Sequence, residues 1–250
     1  MGIFDSGVGG LSVLRELRVC APSEDIVYFG DTKNAPYGEK SERELSMLVS
    51  RALDVLFAEG AESILSACNS TSALAVAQGR RGGNVPVVEM ICPTVEELCA
   101  RNGRIAVLAT PATIRSGMYQ REFLKRRRSA DFVAVPDLAG AIESDAPEKH
   151  IEEIVRRSLI AAMSCRPAVI SLSCTHFPLV ADYFIAARDN LGYDVEIFDP
   201  SRAAARAAAE RARGEETGKV RFLITKESAV FRRIVREMLL DDCGTVSVIS

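Results

Sequence analysis

The chain has 250 residues, with 31 basic and 34 acidic side chains and seven cysteines. This length is enough for one large α/β domain or two small lobes with a buried core. Because 48% of the residues are hydrophobic and the net charge is −3, the composition argues against intrinsic disorder and nucleic-acid binding. An odd number of cysteines, no C-x-x-C pair and only two histidines argue against a complete disulfide framework and a tetrahedral zinc site.

The sequence has no recognisable targeting or membrane-spanning segment. Apolar stretches all fall short of the roughly eighteen residues that a helical membrane span needs. No basic segment precedes an apolar run near the start, as a secretory signal would require. We therefore expect a cytoplasmic protein with reduced thiols, a small-molecule partner, and no association with a metal ion, a nucleic acid or a membrane.

Short apolar runs alternate with helical patterns, which favours an α/β fold with mainly parallel sheets. Nine segments are predicted as strands: 2–4, 26–29, 63–67, 85–89, 104–109, 132–135, 168–172, 195–198 and 220–225. The clearest helix spans residues 41–59. Ser41 and Glu44 form a capping box at its start, and Gly60 ends it. Three more helices are predicted from apolar periodicity or alanine content: 151–162, 201–213 and 230–238.

Four of these strands recur later in the chain at a nearly constant spacing. Residues 64–70 (ILSACNS) resemble residues 170–176 (ISLSCTH), so that Cys174 corresponds to Cys68 and follows it by 106 positions. Three other strands in the first part of the chain have counterparts 104 to 107 positions further on. Agreement between the spacings indicates an internal repeat of one structural unit.

The repeat predicts two pseudo-symmetric lobes, each a mainly parallel sheet flanked by helices. The second copy ends well before the C-terminus, and the remaining segment is expected to pack back onto the first lobe. The predicted lobes comprise residues 1–92 plus 209–250, which carry Cys68, and residues 93–208, which carry Cys174. Equivalent points of the lobes are expected to face each other across a cleft that holds the active site.

Each copy of the repeat ends a strand with a cysteine that small polar residues follow. The carboxyl ends of parallel strands form the ligand crevice of an open α/β sheet, and a helix N-terminus there lowers a thiol pKa. Two thiols facing each other across a cleft suit the removal of a proton from one face of a carbon acid and its return to the other. His176, two residues after Cys174, is a candidate proton relay. The sequence therefore indicates inversion at a carbon centre.

Two polar loops are candidates for substrate contacts. Residues 4–12 (FDSGVGGLS) offer the Asp5 carboxylate and glycine N–H groups that can hold an anion ahead of a helix. A dinucleotide-binding fingerprint fails here because Ser12 stands where the third glycine belongs. Residues 30–38 (GDTKNAPYG) offer the hydroxyl of Tyr37 and further backbone donors.

Four motifs together resemble the glutamate racemases of the cofactor-independent aspartate/glutamate racemase superfamily: FDSGVGGLSVLREL (4–17), YFGDTKNAPYGEKS (28–41), ACNSTSA (67–73) and SCTHFPL (173–179). The resemblance covers the whole chain. It implies conversion of L-glutamate to D-glutamate by two thiols without a cofactor, a reaction that supplies D-glutamate for peptidoglycan. It also implies a homodimer, the usual state of family members.

The resemblance assigns roles to particular residues. Cys68 and Cys174 match the catalytic acid/base pair, Asp5 assists the first thiol, and His176 and Glu143 assist the second. Substrate contacts are expected from residues that match the family's binding loops: Asp5, Ser6, Pro36, Tyr37, Gly38, Asn69, Ser70, Thr175 and His176. Residues 109–113 (ATPAT) resemble a further loop of the site.

Ser70, Ser173 and Phe177 stand where the family often has threonine, glycine and tyrosine, and none of the three changes removes a group that the mechanism requires. Two alternatives remain open: a racemase of aspartate or another amino acid, and a non-catalytic ligand-binding regulator on the same scaffold. The other five cysteines lack an acid/base partner by motif and are interpreted as packing thiols: Cys20, Cys92, Cys99, Cys165 and Cys243.

Overall fold

The computed structural model contains two parallel sheets flanked by helices, which confirms the predicted fold class. The structure describes most of the chain: residues 1–72, 74–75, 85–213, 217–239 and 244–249. Cys243, which is interpreted as a packing thiol, lies outside the described residues.

All nine predicted strands form, with bounds within two residues of the prediction. They are β1 (Gly2–Asp5), β2 (Ile26–Gly30), β3 (Ile64–Ser66), β4 (Val87–Glu89), β5 (Ile105–Ala109), β6 (Asp131–Ala134), β7 (Val169–Leu172), β8 (Glu196–Phe198) and β9 (Val220–Ile224). A further strand, β10 (Val246–Val248), was not predicted. It is three residues long, partly exposed and at the edge of its sheet, so it carries little of the apolar pattern of a buried strand.

The two sheets repeat one strand order. The first sheet runs β10-β9-β2-β1-β3-β4 and the second runs β6-β5-β7-β8. The order β2-β1-β3-β4 therefore recurs as β6-β5-β7-β8, which is the relation that the spacing of the sequence repeat indicates. β9 pairs with β2 in parallel register, so the C-terminal segment extends the first sheet. The lobe bounds given above stay a prediction.

The helices of the described residues connect these strands and cover both sheets. They are α1 (Leu11–Cys20), α2 (Glu42–Ala58), α3 (Ile91–Cys99), α4 (Pro111–Ser116), α5 (Met118–Lys125), α6 (Leu138–Glu143), α7 (Glu148–Met163), α8 (Ala181–Asn190), α9 (Ser201–Ala209) and α10 (Ala229–Leu239). Short 3₁₀ turns follow β3 and β7, at Asn69–Thr71 and Phe177–Val180.

Helix α2 matches its prediction, and α9 does not. The Ser41 side chain accepts a hydrogen bond from the Glu44 N–H, and the Glu44 carboxylate accepts one from the Ser41 N–H, which confirms the capping box. Helix α9 ends at Ala209, four residues before the predicted end. Beyond it, the N–H of Arg213 donates to the buried Glu24 carboxylate at 2.8 Å. This tertiary contact outweighs the helix propensity of the alanine-rich segment.

The two sheets share a hydrophobic core. One buried cluster contains Ile3 and Leu65 from the first sheet and Leu108 and Ile170 from the second. Helix α1, which follows the first strand, packs against α9 near the end of the second copy of the repeat. The halves therefore contact each other through apolar side chains as well as through the polar groups described below. Among the described residues, no helix combines the length and apolar character needed to cross a membrane.

The cysteines outside the predicted pair differ in exposure. Cys92, Cys99 and Cys165 are half-buried, whereas Cys20 is exposed at the end of α1. The interpretation of Cys20 as a packing thiol is therefore wrong, because it lies on the solvent side of an amphipathic helix.

Candidate active site

Cys68 and Cys174 occupy equivalent positions in the two sheets. Each cysteine lies two residues beyond the carboxyl end of its strand, β3 for Cys68 and β7 for Cys174. Both are buried, with 5% and 6% of their surface exposed. Both line the same small cavity. The fold therefore brings together two thiols that are 106 positions apart in the sequence.

Ten of the twelve predicted site residues line this cavity: Ser6, Pro36, Tyr37, Gly38, Cys68, Asn69, Ser70, Cys174, Thr175 and His176. The other two, Asp5 and Glu143, lie behind the wall and hydrogen-bond to residues that form it. Thr110 and Ala139 complete the lining. The structure therefore brings ten of the predicted residues to one cavity. Its lining also contains Ala139, which the sequence analysis did not identify.

The Cys174 side of the cavity has a chain of proton-carrying groups. Cys174 Sγ lies 3.8 Å from Nδ1 of His176, and Nε2 of His176 lies 2.6 Å from Oε1 of Glu143. Burial acts to lower the pKa of His176, but hydrogen bonds to Cys174 and Glu143 outweigh it and raise that pKa well above the ordinary value. His176 can therefore exchange a proton with Cys174 while Glu143 stabilises the charged imidazole.

Glu143 is held in place by the glycine-rich loop of the other half of the molecule. Its Oε1 accepts a hydrogen bond of 2.8 Å from the N–H of Val8. A Cβ atom on Gly7 would overlap the Glu143 carboxylate, and one on Gly9 would lie 2.5 Å from Nδ1 of His176. Glycine is needed at both positions because Glu143 and His176 approach the backbone closely.

The Cys68 side is dominated by buried Asp5. The Asp5 carboxylate accepts hydrogen bonds from the N–H of Gly7 at 3.0 Å and from Thr175 Oγ1 at 3.2 Å. Burial raises the pKa of Asp5, and the charge of His176 opposes that effect. Burial, the charge of Asp5 and the nearby Cys174 together raise the pKa of Cys68.

Two expectations from the sequence are therefore corrected. The helical turn after Cys68 was expected to lower its thiol pKa, but burial outweighs the backbone contribution and raises it. The glycine-loop N–H groups were expected to hold a substrate anion. Those of Gly7 and Val8 instead bind the chain's own carboxylates, Asp5 and Glu143.

The loop at residues 30–38 reaches the cavity with Pro36, Tyr37 and Gly38. The hydroxyl of Tyr37 donates to the Asp31 carboxylate at 2.6 Å. Asp31 also accepts a hydrogen bond of 2.7 Å from Oγ1 of Thr225, just beyond β9. Tyr37 therefore contributes its ring and backbone to the cavity wall, and Asp31 fixes the loop.

The residues after Cys68 contact the second half of the molecule. Ser70 Oγ lies 2.9 Å from Oγ1 of Thr110 and 3.2 Å from Oγ1 of Thr113. Asn69 Oδ1 accepts a hydrogen bond of 2.9 Å from the Tyr119 hydroxyl, while its Nδ2 is buried and has no partner among the described residues. The hydroxyl of Ser70 therefore belongs to a hydroxyl cluster with Thr110 and Thr113, and its contact with a substrate stays a prediction.

Sequence signals exist for Thr110 and Ala139 but not for Tyr119. Thr110 follows β5 directly, so the rule that selects strand ends applies to it as it does to the cysteines. Ala139 precedes Glu143 by four residues in α6 and therefore lies on the same helix face. Tyr119 reaches the site from inside helix α5, at a sequence distance from Asn69 that no local pattern reveals.

Within the described ranges, no cluster of three or more His, Cys, Asp or Glu side chains could hold a metal ion. The absence of a cofactor stays a prediction.

A profile of the Asp/Glu/Hydantoin racemase family matches residues 11–208. The chain belongs to this family. The match includes strands of both sheets and both cavity-lining cysteines. Membership in this racemase family agrees with a site in which two thiols line one cavity.

Several glutamate racemases are similar to the chain over nearly its full length. A glutamate racemase from Desulforudis audaxviator is 34% identical, covering 96% of this chain and 93% of that protein. The crystal structure of a glutamate racemase isoform from Bacillus anthracis matches with a TM-score of 0.87 and 27% identity, covering 100% of this chain and 96% of that one. A glutamate racemase from Francisella tularensis in complex with D-glutamate has a TM-score of 0.86 and 26% identity, with the same coverage.

Proposed function

We propose that this protein interconverts L- and D-glutamate without a cofactor, with one thiol removing the α-proton and a second thiol delivering a proton to the opposite face. The observation that carries the proposal is the placement of Cys68 and Cys174 at equivalent strand ends on one small cavity. Glutamate is the proposed substrate because the racemase relatives that cover nearly the whole chain are glutamate racemases. D-Glutamate made in this way would enter peptidoglycan.

In each direction one cysteine acts as the base and the other as the acid. The thiolate of one cysteine takes the α-proton, so that the Cα–H bond breaks, an S–H bond forms and the carbon becomes planar. The other thiol then gives its proton to the opposite face, so that its S–H bond breaks and a new Cα–H bond forms with inverted configuration. Two chemically similar groups suit a reaction that must run both ways.

The neighbours of the two thiols control their protonation states. His176 lies within proton-transfer distance of Cys174, and Glu143 balances the imidazolium charge. Asp5 raises the pKa of Cys68 and so favours the protonated thiol, which is the form needed when Cys68 acts as the acid. Both sides of the cavity therefore use a thiol, but different neighbours control its protonation. His176 and Glu143 act on Cys174, and Asp5 acts on Cys68.

The cavity wall supplies donors that suit an amino dicarboxylate. The buried Asn69 Nδ2 is unpartnered in the described chain, and Ser70, whose hydroxyl belongs to the cluster with Thr110 and Thr113, also lines the cavity. Hydrogen bonds from such groups to the substrate carboxylates hold the α-carbon between the thiols.

Two further properties belong to the proposal. A cytoplasmic location is one of them, because it would place the enzyme where small metabolites are made. A homodimer follows from the resemblance to the racemases alone, and sedimentation equilibrium tests it.

Isotope exchange without added cofactor tests the function directly. The protein is incubated in D₂O with L-glutamate, L-aspartate or L-alanine, and the products are followed by NMR and circular dichroism. We expect deuterium at Cα together with inversion for glutamate only. The same result for aspartate instead would make the protein an aspartate racemase, and no exchange with any amino acid would favour a non-catalytic regulator.

A further inference from the structure

The Asn69 amide is paired at one end only. Its Oδ1 accepts the hydrogen bond from Tyr119, whereas its Nδ2 has no partner in the described structure. Water cannot readily supply the missing partner, because only 3% of the surface of Asn69 is exposed. A buried N–H without an acceptor is rare in folded proteins and needs an explanation. Asn69 lines the reaction cavity directly after Cys68, so an acceptor that occupies this cavity would supply the missing partner.

Tyr119 is held in the core with its hydroxyl against this amide. Its ring is fully buried in a cluster with Val95, Val107 and Phe123. Burial raises the pKa of Tyr119 above its usual range, and hydrogen bonds with Ser173 and Thr94 oppose that effect. The hydroxyl therefore keeps its proton at neutral pH and donates it to Asn69 Oδ1.

A tyrosine proton on one end of an amide decides which way the amide faces. With Oδ1 bound to the Tyr119 hydroxyl, the two N–H bonds of Asn69 are left for another acceptor, and the cavity that Asn69 lines can hold one. In the opposite orientation the carbonyl oxygen would meet the substrate, and it would repel a carboxylate. Because Asn69 follows β3 and Tyr119 lies on α5, the hydrogen bond also joins the two halves of the molecule.

We propose that Tyr119 is a positioning residue that fixes the Asn69 amide as a donor to a carboxylate of the substrate. This inference rests on the proposed function, since it requires an amino-acid substrate in the cavity. Ser173, the residue that departs from the family's usual glycine, borders the same tyrosine and also hydrogen-bonds with Ser171. It therefore belongs to the packing that holds Tyr119.

The Tyr119→Phe variant tests the proposal because it keeps the ring and removes only the hydroxyl. We expect the KM for glutamate to rise by about tenfold or more, with kcat changed less than about threefold, because a ground-state contact is lost. Isothermal titration calorimetry with glutamate should show the same loss of affinity. A purely structural role would lower the melting temperature and leave KM unchanged.

A double-mutant cycle separates positioning from other effects of the hydroxyl. Asn69→Ala alone should raise KM, and adding Tyr119→Phe to it should raise KM no further, because the hydroxyl acts only through the amide. Ser158→Ala removes another buried hydroxyl, which donates within α7, and it should leave KM unchanged. Additive losses in the cycle, or a normal KM in Tyr119→Phe, would overturn the inference. A wild-type protein that does not racemise glutamate would instead overturn the proposed function.

Discussion

At the scale of single residues, Cys68 and Cys174 end equivalent strands but have different neighbours. Cys174 lies 3.8 Å from the His176 imidazole. Cys68 is influenced by the buried Asp5 carboxylate, and its pKa is raised by burial and by that charge. The similar chemistry of the thiols could be predicted from the repeat. The difference between them could not, because it depends on burial and on contacts across the cavity.

The pH dependence of alkylation tests the effect of Asp5 on Cys68. Only the thiolate reacts with iodoacetamide, so labelling of wild-type Cys68 should rise only at a pH above the usual thiol range. Asp5→Asn keeps the shape of the side chain and removes its charge. We expect it to shift the Cys68 labelling curve to lower pH by about one pH unit, as followed by peptide mass spectrometry. An unchanged curve would mean that burial alone raises the pKa.

At the scale of elements, the glycine-rich loop between β1 and α1 leaves space for side chains from the other half of the molecule. Gly7 and Gly9 lack side chains where Glu143 and His176 approach. The motif is visible in the sequence, but its partners are not, since Glu143 follows Val8 by 135 positions. The apolar runs of β1 to β9 and the capping box of α2 could be predicted because they are local. The short edge strand β10 and the early end of α9 could not, because a sheet edge and a tertiary contact decide them.

A pair of glycine substitutions tests this role of the loop. Gly9→Ala places a Cβ atom 2.5 Å from His176 Nδ1, so we expect it to displace the imidazole and reduce kcat by at least about tenfold. Gly140→Ala is the matched control. Its Cβ would lie 3.7 Å from Pro36 Cγ, an ordinary contact, and alanine in helix α6 should add up to ~1 kcal/mol of stability. Equal activity of the two variants would contradict the argument.

At the scale of the whole molecule, the cavity exists because the two halves meet. Besides the shared core, polar contacts cross between them, including Ser70 with Thr110 and the Ala112 N–H with the Gly38 carbonyl at 2.8 Å. The sequence repeat predicts that equivalent strand ends face one cleft. It contains no information on which side chains bridge that cleft, so the contacts of Asn69 with Tyr119 and of Val8 with Glu143 emerge only from the three-dimensional structure.

The most direct measurement is α-proton exchange by single-cysteine variants. Cys68→Ala and Cys174→Ala are each incubated in D₂O with pure L-glutamate and with pure D-glutamate, and far-ultraviolet circular dichroism verifies that both variants stay folded. The two-thiol account predicts that neither variant racemises. Each variant should still exchange the α-proton of one enantiomer, and the enantiomer should differ between the variants. Full racemisation by either variant, or exchange of the same enantiomer by both, would contradict the account.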